Sequence, residues 1–229
     1  MRWFVVLLVA CGSSSNPRDV PDDHRLHDLS SETSHAKYVR YGGKAVSLAD
    51  VPVVADKLGL PVSGTADVMI DVTIPKTFGS PDYSKSSGSA SITCTKCGVG
   101  DHKAKLAIDS GYFASVDFGQ LTIDHLEATM TIVNGKLTSS WKLTSPDLEV
   151  QVALEAELAL TFENSVVRGC IRFRPTALLR KRDPKMHDLL SLTGAARDDE
   201  GFDHITLAGT VDGLRRLAQL CDARPRRPS

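Results

Sequence analysis

Cys94 and Cys97 stand two residues apart in the stretch TCTKCGVGDH, with Asp101 and His102 close behind. Such a group admits three chemistries: a zinc centre, a redox dithiol or a disulfide. A closed structural zinc site needs about four ligands. The cysteine pair with His102 or Asp101 supplies three, and no second CxxC follows anywhere in the chain. A thioredoxin-like dithiol needs its CxxC at a helix N-terminus, where the helix lowers the thiol pKa. Here the flanks alternate as strands on both sides. The favoured reading is a local Cys94–Cys97 disulfide formed in an oxidising compartment. It closes a small ring and so carries a small loop entropy. Cys170, inside a strand pattern, and Cys221, in the tail, are left without an assigned partner.

Other side chains that could do chemistry do not converge in the sequence. Asp109, Asp117 and Asp124 occupy separate strand positions without a partner base. His125 and His204 border strands and have no ligand near them in sequence, and His24, His27 and His35 lie in a polar stretch. Arg168, Arg172 and Arg174 share one strand face and read as a solvated face rather than an anion site. The chain contains no GxSxG, HExxH or P-loop, and no GxGxxG leading into a helix. We therefore expect no catalytic residues, no cofactor and no metal ligands: a protein that is not an enzyme.

Bulk properties narrow the partners. The net charge of −1 projects no field toward nucleic acid. Aromatic residues are 6% of the chain, too few for a base-stacking platform. No nucleic-acid partner is expected. At the N-terminus, Arg2 precedes an apolar run from Trp3 to Ala10, and Leu8-Val9-Ala10-Cys11 fits a lipobox. That run is shorter than a membrane-spanning helix requires. The expectation is a lipoprotein-like signal segment over 1–11, with Cys11 lipidated, the body exported to the periplasm and the membrane reached through the N-terminal anchor. Residues 12–37, rich in Ser, Asp, Pro and His, read as a flexible linker, and residues 215–229 as a basic tail.

The elements that must position these residues are mostly strands. Asp50 to Gly59 predicts a short helix, with Asp50 as cap and Gly59 as stop. From Leu60 the period is two: Val68, Ile70, Val72 and Ile74 share a face, and Pro75 ends the strand. Ala90 and Ile92 lead into the cysteines, and Ala104, Leu106 and Ile108 lead away, so the CxxC is placed on a tight loop between two strands. Leu126, Ala128, Met130 and Ile132 enter an Asn134-Gly135 hairpin, and Leu137, Trp141 and Leu143 leave it. Ser145 to Asp147 is a turn. Residues 148–160 have helix-favouring composition but strict period-two Leu, Val and Ala, which predicts a long strand. Val167 to Phe173 is a further strand. Residues 175–194 predict a helix pair started by Pro175 and by Asp183-Pro184, with Met186, Leu189 and Leu190 on its apolar stripe. HITLAGTV, from His204, closes the series. The fold class is mainly β: a large curved antiparallel sheet, groove-like, with a short N-terminal helix and a helix pair near 175–194.

Several of these segments, in order, resemble the type II secretion system protein N family in its deltaproteobacterial form. They are GLPVSGTADVMIDVTIPK (from Gly59), DYSKSSGSASITCTKCGVGDHKAKL (from Asp82), LTSPDLEVQVALEAELAL (from Leu143), RFRPTALLRKRDPKMHDLL (from Arg172), and DGLRRL after LAGTV. The resemblance covers about Tyr38 to Leu214, and residues 38–214 are taken as the folded domain. It implies a non-enzymatic periplasmic accessory of the general secretion pathway, whose partners are secretion-system subunits. It also implies a sheet similar to the groove-forming strands of AsmA-like lipid-handling proteins, so lipid is the alternative partner. Family members usually begin with a membrane-spanning helix and a further β-rich segment, in whose place this chain has a short apolar start and a linker. The expectation is either a shortened, lipid-anchored form or a sequence missing its front portion.

Overall fold

The computed structural model describes residues 23–50, 61–101, 103, 105–106, 116–117, 119–191, 196–217 and 219–221. Among them, the period-two segments form strands of one antiparallel sheet. Its long members are β3 (Ala36–Ser47), β4 (Val62–Thr77), β6 (Ser87–Val99), β9 (Leu121–Val133), β10 (Lys136–Thr144), β11 (Leu148–Glu157), β12 (Val166–Pro175) and β14 (Asp203–Thr210). They lie side by side in that order within a 13-stranded sheet. Short edge pieces complete it: β1 (His27–Asp28) and β2 (Ser31–Glu32) on β3, β5 (Ser80–Pro81) on β4, and β13 (Ala196–Arg197) and β15 (Arg215–Leu217) on β14. A separate pair, β7 (Lys105–Leu106) and β8 (Val116–Asp117), is antiparallel. Among the described residues the protein is thus mainly β, with one large open antiparallel sheet and two short helices.

Alternation explains the core. In β4, Val68, Ile70, Val72 and Ile74 are between 0% and 6% exposed, whereas Asp67 and Met69 on the opposite face are exposed. Each such aliphatic residue removed from water stabilises by about 1.5–3 kcal/mol before entropy is charged against it. Residues 148–157 settle the conflict between composition and period in favour of the strand. Leu148, Val152, Leu154 and Ala156 are buried on one face, while Glu155 and Glu157 point out. A helix would have scattered those apolar residues around its circumference. Asn134 and Gly135 both have positive φ, 49° and 72°, as a type I′ hairpin requires.

Four expectations need correction. Pro75 does not end its strand, because β4 continues to Thr77. The amide of Lys76 donates to His35 O on the β3 side, so the position of Pro75 lacking N–H faces the side where β6 no longer pairs. The last β4–β6 partners are Thr73 and Ser87. Residues 27–37, read as linker, belong to the sheet edge. His27 pairs with Gly42, Ser31 pairs with Tyr38, and Ser30 is fully buried. Residues 215–221 are not all tail, since β15 pairs with β14 and Cys221 is bonded to Cys170. The cysteine pair does not sit on a hairpin loop, because β6 runs through it without a turn. The helix expected over 50–59 falls almost wholly outside the described residues, and Leu48–Asp50 forms a single 3-10 turn.

The helix pair is α1 (Ala177–Arg182) and α2 (Pro184–Ser191). Thr176, rather than Pro175, caps α1 by accepting from Leu179 N at 3.3 Å, and Asp183 caps α2 by accepting from Met186 N at 3.0 Å. Leu179 (0% exposed) and Met186 (4%) anchor the pair. The pair also meets the β10–β11 turn. Thr176 Oγ1 donates to Pro146 O at 2.5 Å, and Arg182 Nη2 lies 2.6 Å from Asp147 Oδ2. Asp147 is fully buried, yet its carboxylate oxygens accept no well-directed hydrogen bond. The approach of Arg182 is short but misaligned, so we treat that contact as Coulombic pairing and not as a hydrogen bond.

At the other end, loops are laced together across the strands. Gly135 N donates to Ser86 O at 2.9 Å, Leu158 N to Gly135 O at 2.7 Å, and Val211 N to Ser165 O at 3.0 Å. Tyr83 and Phe162 meet edge to face at 5.7 Å. The β4–β6, β9–β10 and β11–β12 connections therefore form one continuous rim.

Candidate functional site: an apolar row and a cysteine–histidine cluster

Register carries the apolar positions from strand to strand. Val68 faces Ile92, Ile92 faces Ala128, Ala128 faces Trp141, Trp141 faces Val152, Val152 faces Ile171, and Ile171 faces Ile205. One row thus crosses β4, β6, β9, β10, β11, β12 and β14. At about 4.8 Å between strands the row spans roughly 29 Å. Val68 and Val152 are buried, while Ile92, Ala128, Trp141, Ile171 and Ile205 are only half-buried. A parallel row of Ala90, Met130, Ser139 and Leu154 flanks it. Within that flank, Ser139 Oγ donates to Thr129 O and receives Trp141 Nε1–H, both at 2.8 Å. The indole is thereby fixed while part of its surface stays accessible. Such a face can hold an extended apolar chain, because half-buried side chains still have surface to remove from water.

Cys94 and Cys97 lie under the same face, 1% and 3% exposed, and are joined as a disulfide with Cα atoms 6.3 Å apart. Residues three apart on a strand normally point to opposite faces. Here Thr65 pairs with Thr95 and Ser63 with Gly98, so β6 holds one extra residue opposite Gly64. Lys96 takes φ of 58° and faces out, which returns Cys97 to the side of Cys94. Gly64 is required at this point, since a Cβ there would press on the Cys97 backbone. The disulfide secures a bulge in a continuous strand, not a turn.

On the opposite face of β12 and β14 the structure gathers residues that the sequence had left apart. Arg172 is not merely solvated. Its Nη2 donates to Asp198 Oδ2 at 2.8 Å and to Glu200 Oε2 at 3.1 Å. Arg174 pairs with both oxygens of Glu149 at 2.8 and 2.9 Å. The two guanidiniums lie over the Phe202 ring, at 4.6 and 4.4 Å. Asp198 works twice: Oδ1 accepts from the amides of Glu200 and Phe202, and Oδ2 accepts from Arg172 and from His204 Nε2 at 2.7 Å. Arg172, then His204 and the Phe202 amide, hold its carboxyl well below the usual carboxylate range. Asp198 in turn raises the Arg172 pKa above its ordinary value. Cys221 N donates to His204 Nδ1 at 3.1 Å, and Cys221 is bonded to Cys170 with Cα atoms 5.7 Å apart. One donor atom each from Cys170, His204 and Cys221 lies within 4.8 Å of the others.

The other candidates stay dispersed or fall outside the described residues. Cys11, His102 and Asp109 fall outside. Of Asp117 only the backbone is described, and Asp124 is exposed on β9. His27 Nε2 meets Asp23 Oδ1 at 2.9 Å near the sheet edge. Sequence reasoning missed the Cys170–His204–Cys221 group for a definable reason. Alternation puts Cys170 and His204 on the polar sides of their own strands. Only the pairing of Cys170 with Thr206 and of Arg172 with His204 brings the two together. Among the described residues, no helix is long and apolar enough to cross a membrane. Comparison with family models, curated proteins and solved structures finds no match for the chain.

Proposed function

We propose that this chain is a non-enzymatic periplasmic accessory of a type II secretion system, held at the membrane through lipidated Cys11. The observation that carries the reading is where the resembling segments fall. Those starting at Gly59, Asp82, Leu143 and Arg172 supply β4, β6, β11 and the helix pair, and LAGTV-DGLRRL supplies the end of β14 together with β15. All but the helix pair are strands of one sheet, which is the open antiparallel architecture that the resemblance implies. The test is affinity isolation of the tagged full chain from its own membranes in mild detergent. Recovery of secretion-system subunits supports the proposal. Their absence, with the bait intact and lipidated, removes it. Palmitate labelling that persists in Cys11→Ala would remove the anchor.

A second reading is favoured by the half-buried row from Ile92 to Ile205: the sheet binds an acyl chain, as an AsmA-like lipid-transfer groove would. Mass spectrometry of the isolated protein separates the two. Stoichiometric lipid without secretion subunits selects the groove reading.

A further inference from the structure

We propose that Cys170, Cys221 and His204 form a binding site for a thiophilic cation of the Zn2+ class, gated by the Cys170–Cys221 disulfide. The inference does not depend on the secretion reading.

Three strands of observation carry it. The first is the donor set. Two sulfurs and one imidazole nitrogen lie within 4.8 Å of one another, and Cys2His is a ligand combination that zinc favours, with the fourth position left to water. The second is the orientation of His204. Its side chain is 6% exposed, and Nε2 lies 2.7 Å from Asp198 Oδ2. Arg172 Nε also reaches Nε2, at 3.4 Å, and the Cys221 amide donates to Nδ1 at 3.1 Å, so the ring is oriented with its Nδ1 lone pair toward Cys221. A carboxylate behind the distal nitrogen is how metal-binding imidazoles are oriented and made more basic. Asp198 is itself fixed by two backbone amides and by Arg172, so the imidazole is held before any cation arrives. The third is access. A cavity of ≈ 380 Å³ lined by Leu154, Cys170, Leu207, Leu220 and Cys221 opens beside the sulfurs.

The redox step balances as follows. A dithiol reductant transfers two electrons and two protons, becoming a disulfide, while the Cys170–Cys221 bond opens to two thiols. Binding the cation releases those two protons to solvent and leaves two thiolates and one neutral imidazole as ligands. The cation replaces the hydrogen bond from the Cys221 amide to Nδ1. Residues 219–221 thus stay fastened to the sheet by a covalent bond in one state and by a metal in the other. Among the described residues, no third donor joins the buried Cys94–Cys97 pair.

The experiment uses the full chain carrying Cys11→Ser, Cys94→Ser and Cys97→Ser, so that only Cys170 and Cys221 report. It is reduced with a phosphine under anaerobic conditions and titrated with Co2+, a spectroscopic stand-in for Zn2+. One Co2+ per chain is expected, with thiolate charge-transfer absorption and tetrahedral ligand-field bands. One equivalent of Zn2+ should displace it, and the oxidised chain should show no signal. His204→Gln, which keeps both cysteines, is expected to weaken binding by at least tenfold, and Asp198→Asn by about tenfold. The proposal is overturned if the reduced chain gives no charge-transfer band, or if Cys170→Ser or His204→Gln binds Co2+ unchanged. Circular dichroism confirms folding of each variant. Should Cys170→Ser not fold, His204→Gln alone decides. The same comparison without the background substitutions guards against their effects.

Discussion

Asp82 and Asp147 are both buried carboxylates, but their surroundings give them opposite characters. Asp82 Oδ2 accepts from Lys85 Nζ and Thr77 Oγ1, each at 2.8 Å, and Oδ1 accepts from Ser84 Oγ at 2.5 Å. Lys85 first, then Ser84, hold its carboxyl well below the usual carboxylate range. A carboxyl whose folded pKa is lowered contributes stability that is complete above its unfolded value, about pH 4, and is lost as pH falls toward the folded value. Urea unfolding of the wild type should therefore weaken as pH is taken below about 4. Asp82→Asn should be less stable at neutral pH and show a shallower acid decline. Equal slopes would refute this role. Asp147 lacks such donors and depends on Arg182. Arg182→Ala leaves a buried charge unpaired and should cost about 2 kcal/mol, read from the urea midpoint. The double variant Asp147→Ala/Arg182→Ala should lose less than the sum of its singles, because no lone buried charge remains.

At the scale of elements, the β9–β10 hairpin was legible from two residues, because Asn-Gly accepts positive φ at both positions. Its wider role was not. The tip lies against the 83–86 segment, where a Cβ on Gly135 would strike the Ser84 backbone, and Gly135 bonds to both Ser86 and Leu158. Gly135→Ala should then cost about 2–3 kcal/mol, combining the strain of positive φ with displacement of the rim. The same substitution in an isolated hairpin would show the conformational part alone. A midpoint shift below about 1 kcal/mol would mean that the rim gives way freely. The cysteine bulge shows the converse limit. Alternation of Ala90 and Ile92 before CTKCG, and of Ala104, Leu106 and Ile108 after it, suggested two strands joined by a tight loop there. Neighbours on both sides instead held β6 extended, and one extra residue was absorbed as a bulge.

For the whole molecule, the main question is what the half-open apolar row does. Ala128→Glu places a charge at its centre, between Ile92 and Trp141. If the row holds an acyl chain, this variant should lose co-isolated lipid while keeping its β circular dichroism spectrum. Retention of lipid would place the binding elsewhere. Period-two alternation was enough to establish strands, faces and the mainly β class, because each strand records its own burial in every second residue. The strand expected over 148–160 forms for that reason, against its composition, over Leu148–Glu157, and stops three residues earlier than its alternation suggested. Strand order, register and edges were not recorded in this way, since they depend on which neighbour pairs with which. That is why His27–Asp28, Ser31–Glu32 and Arg215–Leu217 became edge strands, and why Arg172 found acid partners. It is also why Cys170, His204 and Cys221 met only in three dimensions. Local period belongs to the sequence, whereas the meeting of Cys170 and Cys221, 51 positions apart, was decided by tertiary pairing alone.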